Sequence, residues 1–138
     1  MIVADASVVL KWVLTDESNR EEAFVLRQRH ALGENPIAVP ELLLYEIANV
    51  LQIRWEDVQR ASEEIHEIIA LELELHLLRF PELAQAMELA SRYGITVYDA
   101  SYLALAQVLR CRFVTADERL LGRLKGVPHV LHLKQVSP

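Results

Sequence analysis

The sequence predicts an α/β domain: a central, mostly parallel sheet of four to five strands with helices on both faces. Two observations carry this. Short, unbroken apolar runs recur along the chain, as in strands buried on both faces. Segments with helix starts and stops lie between them, and such β-α alternation is the signature of parallel crossovers.

The elements follow in order. "MIVAD" opens with a continuous apolar run and reads as a buried strand, and "ASVVLKWVL" as a short helix. "SNREEAFVLRQRHALG" carries a capping box in Ser18 and Glu21 and a stop in Gly33, so it reads as a helix. "PIAVP" sets a second buried strand at Ile37 to Val39. Pro40 is expected to open the next helix, through about Gln52, because proline suits a first turn. A further helix is expected from about Trp55 to Ala70. "LELELHLL", Leu71 to Leu78, alternates with period two and predicts a half-exposed edge strand. Pro81 to Tyr93 reads as a helix stopped by Gly94, and "YDASYLALAQVLR" as a helix buried nearly all round. "RFVT", Arg112 to Thr115, is another buried strand, followed by a short helix through Leu124. "HVLHL" supplies a last strand.

Composition bounds the function. The chain has 138 residues, enough for one good core, so residues 1–138 read as a single domain. Its 52% hydrophobic and 25% charged residues describe a globular chain and not a disordered one. No apolar run approaches the roughly 18 residues that span a bilayer. The N-terminus lacks a basic n-region and carries an Asp inside its apolar stretch, so it does not read as a signal peptide. Cys111 is the only cysteine, which rules out an internal disulfide and fits a reducing cytoplasm. A net charge of -6 argues against simple electrostatic adhesion to nucleic acid. It leaves room for a nucleic-acid enzyme whose acidic centre is neutralised by metal.

Four carboxylates stand in awkward places. Asp5 and Asp117 follow predicted strands, at the sheet edge where parallel α/β folds bind ligands. For each, a helix N-cap is the rival reading, and Thr115 with Glu118 also matches a capping box around Asp117. Glu46 lies among Leu42, Leu43 and Val50 at helical-neighbour spacing, where an acid is costly to bury unless paired or bound to metal. The alternative is that it sits at the rim of the buried stripe, with Asn49 beside it. Asp99 begins a nearly all-apolar helix, where it is either a cap or a second buried acid. Clustered carboxylates raise one another's pKa unless a cation sits among them. Their hard oxygens suit Mg²⁺ or Mn²⁺, whose chemistry in such sites is phosphoryl transfer. No P-loop, G-x-G-x-x-G or convincing histidine site competes. His129 and His132, three apart, would point to opposite faces of a strand.

"IVADASVVLKWVL", "PELLLYEIANVL", "ITVYDASYLALA" and "FVTADERLL" resemble, in order, the four motifs of PIN-domain ribonucleases, and among them fit the VapC toxins of toxin–antitoxin pairs best. The resemblance covers almost the whole chain. It implies a three-layer α/β/α fold in which Asp5, Glu46, Asp99 and Asp117 are catalytic and hold one or two Mg²⁺ or Mn²⁺. Ser7 and Thr115 match family positions that support the carboxylates. It implies RNA cleavage by metal-activated water, a homodimer, and a VapB-type antitoxin that covers the active site. The chain departs from many relatives after its Glu motif, where "LQIRWEDVQRASEEIHE" is short and mostly acidic. Arg110, Arg112, Arg119, Arg123 and Lys125 gather late instead, either to contact phosphates or as a solvated face. A PIN-fold binding or regulatory module, or a metal-dependent phosphatase or DNA nuclease, shares the same acidic residues.

Overall fold

A computed structural model describes residues 1–136. Five strands form: β1 (Ile2–Ala4), β2 (Ile37–Pro40), β3 (Glu74–His76), β4 (Arg112–Thr115) and β5 (Val130–His132). They make one all-parallel sheet in the order β3-β2-β1-β4-β5. The apolar runs lie where burial is deepest. Every residue of β1 and β2 is buried, and of β4 only Arg112 is exposed. Fully buried Val3, Ile37, Val39, Phe113 and Val114 each contribute about 1.5–3 kcal/mol at most by leaving water. The alternating segment becomes β3, a three-residue edge strand.

The helices are α1 (Ala6–Val9), continued by a 3-10 turn at Leu10–Trp12, α2 (Arg20–Ala31), α3 (Leu42–Arg54), α4 (Val58–Ile69), α5 (Phe80–Tyr93), α6 (Val97–Leu109) and α7 (Glu118–Arg123). Three local expectations fail. The cap of α2 is Asn19, in a left-handed conformation at φ 56°, and the Ser18–Glu21 box does not form. Pro40 ends β2 and does not open α3; it pairs in register with His76, and α3 begins at Leu42. Helix α4 starts at Val58, because Asp57 caps it by accepting from the Gln59 N–H at 2.9 Å. Gly94 does stop α5, at φ 63°, a conformation that favours glycine.

Helix α6 is buried at every residue from Ala100 to Ala106. It packs across β1, β2 and β4, with α5 laid against it. Such a helix has no polar face to show, which is why its sequence is apolar all round. Strand order reverses about β1: β2 and β3 extend to one side, β4 and β5 to the other. With right-handed crossovers, that reversal sends the helices after β1 and β2 to one face and those after β3 and β4 to the opposite face. A crevice opens at the carboxyl ends of β1 and β4, the place where open α/β sheets bind ligands.

Candidate active site

Asp5 follows β1 directly, and Asp117 lies two residues past β4. Because β1 pairs with β4, the two acids share one rim. Both are also helix caps. Asp5 Oδ1 accepts from the Ser7 N–H at 3.0 Å and the Ser7 hydroxyl at 2.5 Å. Asp117 Oδ1 accepts from the Arg119 and Leu120 N–H groups at 2.9 and 3.0 Å. These caps all fall on one oxygen of each carboxylate and leave the other for a further partner. Capping and ligand binding are therefore not rivals here.

Two hydroxyls tie the rim together. Ser7 Oγ lies 3.3 Å from Thr115 Oγ1 and accepts from the Ala116 N–H at 2.8 Å. Thr115, fully buried, accepts from the Asp117 N–H at 3.1 Å. Asp5 is only 7% exposed. Burial pushes its carboxyl up to about 6, against the pull of the Ser7 and Thr115 hydroxyls and the Val8 and Ser7 N–H groups.

Glu46, in the second turn of α3, is half-buried and accepts a hydrogen bond from the Tyr102 hydroxyl. Burial raises its pKa, the tyrosine hydrogen bond opposes the rise, and the negative charge of Asp99 adds to it. Tyr102 itself is buried, stacks on Phe113 at 6.1 Å between centroids, and is held protonated by burial and by Glu46. Sequence reasoning missed this residue. The signal was available: Asp99 and Tyr102 are three apart on α6 and therefore share a face.

Asp99 is not the cap of α6. Thr96 is, with its Oγ1 accepting from the Asp99 N–H at 3.0 Å. The carboxyl of Asp99 is thereby left out of capping. Burial raises its pKa, the Thr96 hydroxyl lowers it, and Asp117 raises it further. The mutual charge effects link Glu46 to Asp99 and Asp99 to Asp117, while Tyr102 senses Asp5, Glu46 and Asp99. The structure thus brings the four predicted acids to one edge of the sheet. Among the described residues, none of the four forms an ion pair with a lysine, arginine or histidine. Asn49 lies one turn beyond Glu46 and is exposed.

The donor set suits a hard divalent cation, since every candidate ligand is a carboxylate oxygen and, among the described residues, none is taken up in an ion pair. Among the described residues, no three Asp, Glu, His or Cys side chains are set to close on a single ion.

Beside the acids, Asp99 and Asp117 line a hollow of about 190 Å³ with Gly94, Thr96, Arg119 and Arg123. The histidines play other parts. His30 accepts from the Ile37 N–H and contacts the Leu71 carbonyl, and His132 caps the turn after β5.

Comparison with known proteins agrees with this geometry. The family model described as PIN domain matches residues 2–126. Ribonuclease VapC3 of Pyrobaculum aerophilum is 29% identical over 134 residues, covering 91% of this chain and 96% of that protein. Ribonuclease VapC9 of Mycobacterium tuberculosis is 31% identical over 121 residues, covering 87% of this chain and 88% of that one. Among solved structures, PAE2754 from Pyrobaculum aerophilum superposes with a TM-score of 0.70 at 23% identity, over 96% of this chain and 89% of its own. The DNA-bound VapBC of Salmonella typhimurium gives 0.70 at 14% identity, over 96% and 97%. An acidic crevice at the β1–β4 switch point, a family model spanning most of the sequence and relatives matched nearly end to end lead to one assignment: this chain belongs to the PIN-domain family, alongside the VapC ribonucleases.

Proposed function

We propose that the chain is a divalent-metal-dependent endoribonuclease of the VapC kind, restrained by a partner antitoxin. The observation that carries the reading is the convergence of Asp5, Glu46, Asp99 and Asp117, from four separate segments, on one edge with, among the described residues, no ion-pair partner. Like charges held together in this way call for a cation. Asp5, Glu46, Asp99 and Asp117 would hold one or two Mg²⁺ or Mn²⁺. Bound there, such an ion lowers the pKa of a water and stabilises charge on the phosphate.

The chain's own residues prepare that chemistry. Ser7 and Thr115 fix the orientation of Asp5, and Ser7 holds its Oδ1. Tyr102 donates to Glu46 and so keeps one carboxylate oxygen directed. The backbone of Arg119 and Leu120 fixes Asp117 by the same means. Asp5, with a carboxyl near 6, must give up its proton before it can serve as a ligand, so ion binding competes with protons below that pH.

An antitoxin partner and a homodimer fit the same reading. Solved relatives include a toxin–antitoxin complex from Klebsiella pneumoniae, similar in fold at a TM-score of 0.65. A cytoplasmic site of action fits a chain in which, among the described residues, no helix is long and apolar enough to cross a membrane.

The test compares cleavage of a structured RNA by the native chain and by Asp5→Asn, with Mg²⁺ and with EDTA. Loss of several kcal/mol of transition-state stabilisation corresponds to a fall of about 10²–10⁴-fold. Equal and EDTA-resistant cleavage by both proteins overturns the mechanism. Mn²⁺ and RNA binding without cleavage identifies a binding module.

A further inference from the structure

An acidic chain that holds four carboxylates at its active edge must still hold a polyanion. With a net charge of -6, the protein offers its substrate no general attraction. The attraction has to be local. Of the five late basic residues, Arg112 begins β4, at the opposite end of the sheet from the acids. Arg110 precedes it and lines a separate cavity with Cys111, Pro128 and His129. Arg119 and Arg123 are placed differently. They are four apart on α7, so they share one face of it, and both line the hollow that Asp99 and Asp117 also line.

Three features show that this pair is kept free for a ligand. First, both side chains are exposed, and among the described residues neither forms an ion pair, although two carboxylates stand in the same hollow. Second, the hollow of about 190 Å³ can admit a phosphate group. Third, the Arg123 side chain reaches over Gly94, which lines the same hollow. One of its guanidinium nitrogens would lie 3.4 Å from a β-carbon at residue 94, and that residue is a glycine at φ 63°. That glycine is the left-handed stop of α5, and a β-carbon there would meet the guanidinium only at ordinary contact distance. The Arg119 backbone is held at the same rim, its N–H donating to Asp117 Oδ1.

We propose that Arg119 and Arg123 form a phosphate-anchoring subsite, which holds a backbone phosphate of single-stranded RNA next to the one attacked. The inference rests on the nuclease reading for its substrate, and it assigns the two arginines a positioning role. A guanidinium takes a phosphate through paired N–H donors, a geometry that a lysine point charge reproduces only in charge. Two cations here offset the carboxylates locally.

The experiment uses the full chain in EDTA, which takes cleavage out of the readout. Binding of a fluorescein-labelled ten-nucleotide single-stranded RNA is followed by anisotropy at several KCl concentrations. Each phosphate contact on a single strand contributes about -0.7 to the slope of log K against log salt. Arg119→Ala with Arg123→Ala should therefore flatten the slope by about 1.4 and weaken binding about tenfold or more at low salt. The corresponding double Lys variant should keep the slope while losing part of the affinity. Both variants should still bind Mn²⁺ in calorimetry, which a general loss of structure would not allow. An unaltered slope in the double Ala variant, or no RNA binding by the native chain, overturns the subsite. So does joint loss of RNA and Mn²⁺ binding in the Ala and Lys variants alike. Cleavage with Mg²⁺ is scored separately: a native chain that binds through these arginines but does not cut breaks the nuclease reading and leaves the subsite standing.

Discussion

Two regions of the molecule treat charge in opposite ways. At the elbow between α3 and α4, charges are matched. Arg54 pairs with Asp16 at 2.5 Å, and Arg60 approaches Glu64 at 3.6 Å. Trp55 sits among them, its indole N–H donating to Glu64 at 2.7 Å, with the Arg60 guanidinium 3.5 Å from its ring centroid. At the carboxyl edge of the sheet, four acids gather with only hydroxyls, N–H groups and a phenol as partners. The elbow uses charge to fix a helix pair. The edge keeps its charge unspent for something that arrives from outside. Acidic composition alone cannot distinguish these uses, but the partners of each charge can.

The largest expected effect tests whether Asp117 is more than a cap. Asparagine caps a helix about as well as aspartate. Asp117→Asn should thus unfold in urea within about 0.5 kcal/mol of the native chain, while RNA cleavage falls about 10²-fold or more. Retained cleavage would make the edge resemble the elbow, with charge serving structure alone.

The next effect is on stability and has a sign fixed by Asp5. Its folded pKa, about 6, lies above the ordinary 3.8, so the folded protein binds this proton more tightly than the unfolded chain. Stability from this group is therefore greatest below about pH 4 and is lost as pH rises to about 6, by about 3 kcal/mol in the metal-free state. Asp5→Asn removes the titration and keeps an oxygen for Ser7. In EDTA the variant should gain on the native chain between pH 4 and pH 7, as read by urea unfolding. A gap that stays constant with pH would place the buried charge elsewhere.

The smallest effect belongs to the elbow. Trp55→Ala should lower stability by about 2 kcal/mol through lost packing, the indole hydrogen bond and the guanidinium stack. Cleavage well below the melting temperature should be unchanged. A matching fall in kcat would show that the two regions are coupled.

Much of this contrast is legible in the sequence. Strands β1, β2 and β4 announce themselves because burial on both faces demands continuous apolar runs. The positions of Asp5 and Asp117 follow once those strands are drawn. Local capping rules mislead where the fold imposes its own boundaries. Ser18 loses the cap of α2 to Asn19, and Pro40 completes a strand because β2 pairs as far as His76. The part of Tyr102 is hidden by its surroundings. On a helix buried all round, one hydroxyl looks like part of the apolar pattern until α3 brings Glu46 against it. The cap of α6 was written as Thr96-x-x-Asp99, a spacing that signals a helix start.

The pairing of β1 with β4 also bears on when the protein can act while it is being made. Asp5 is synthesised long before Asp117, and its hydroxyl partner Ser7 meets Thr115 across 108 positions of chain. Until β4 has emerged from the ribosome and found β1, the rim that holds Asp5 against Asp117 does not exist. A growing chain is therefore without its acidic edge until β4 has been made and paired.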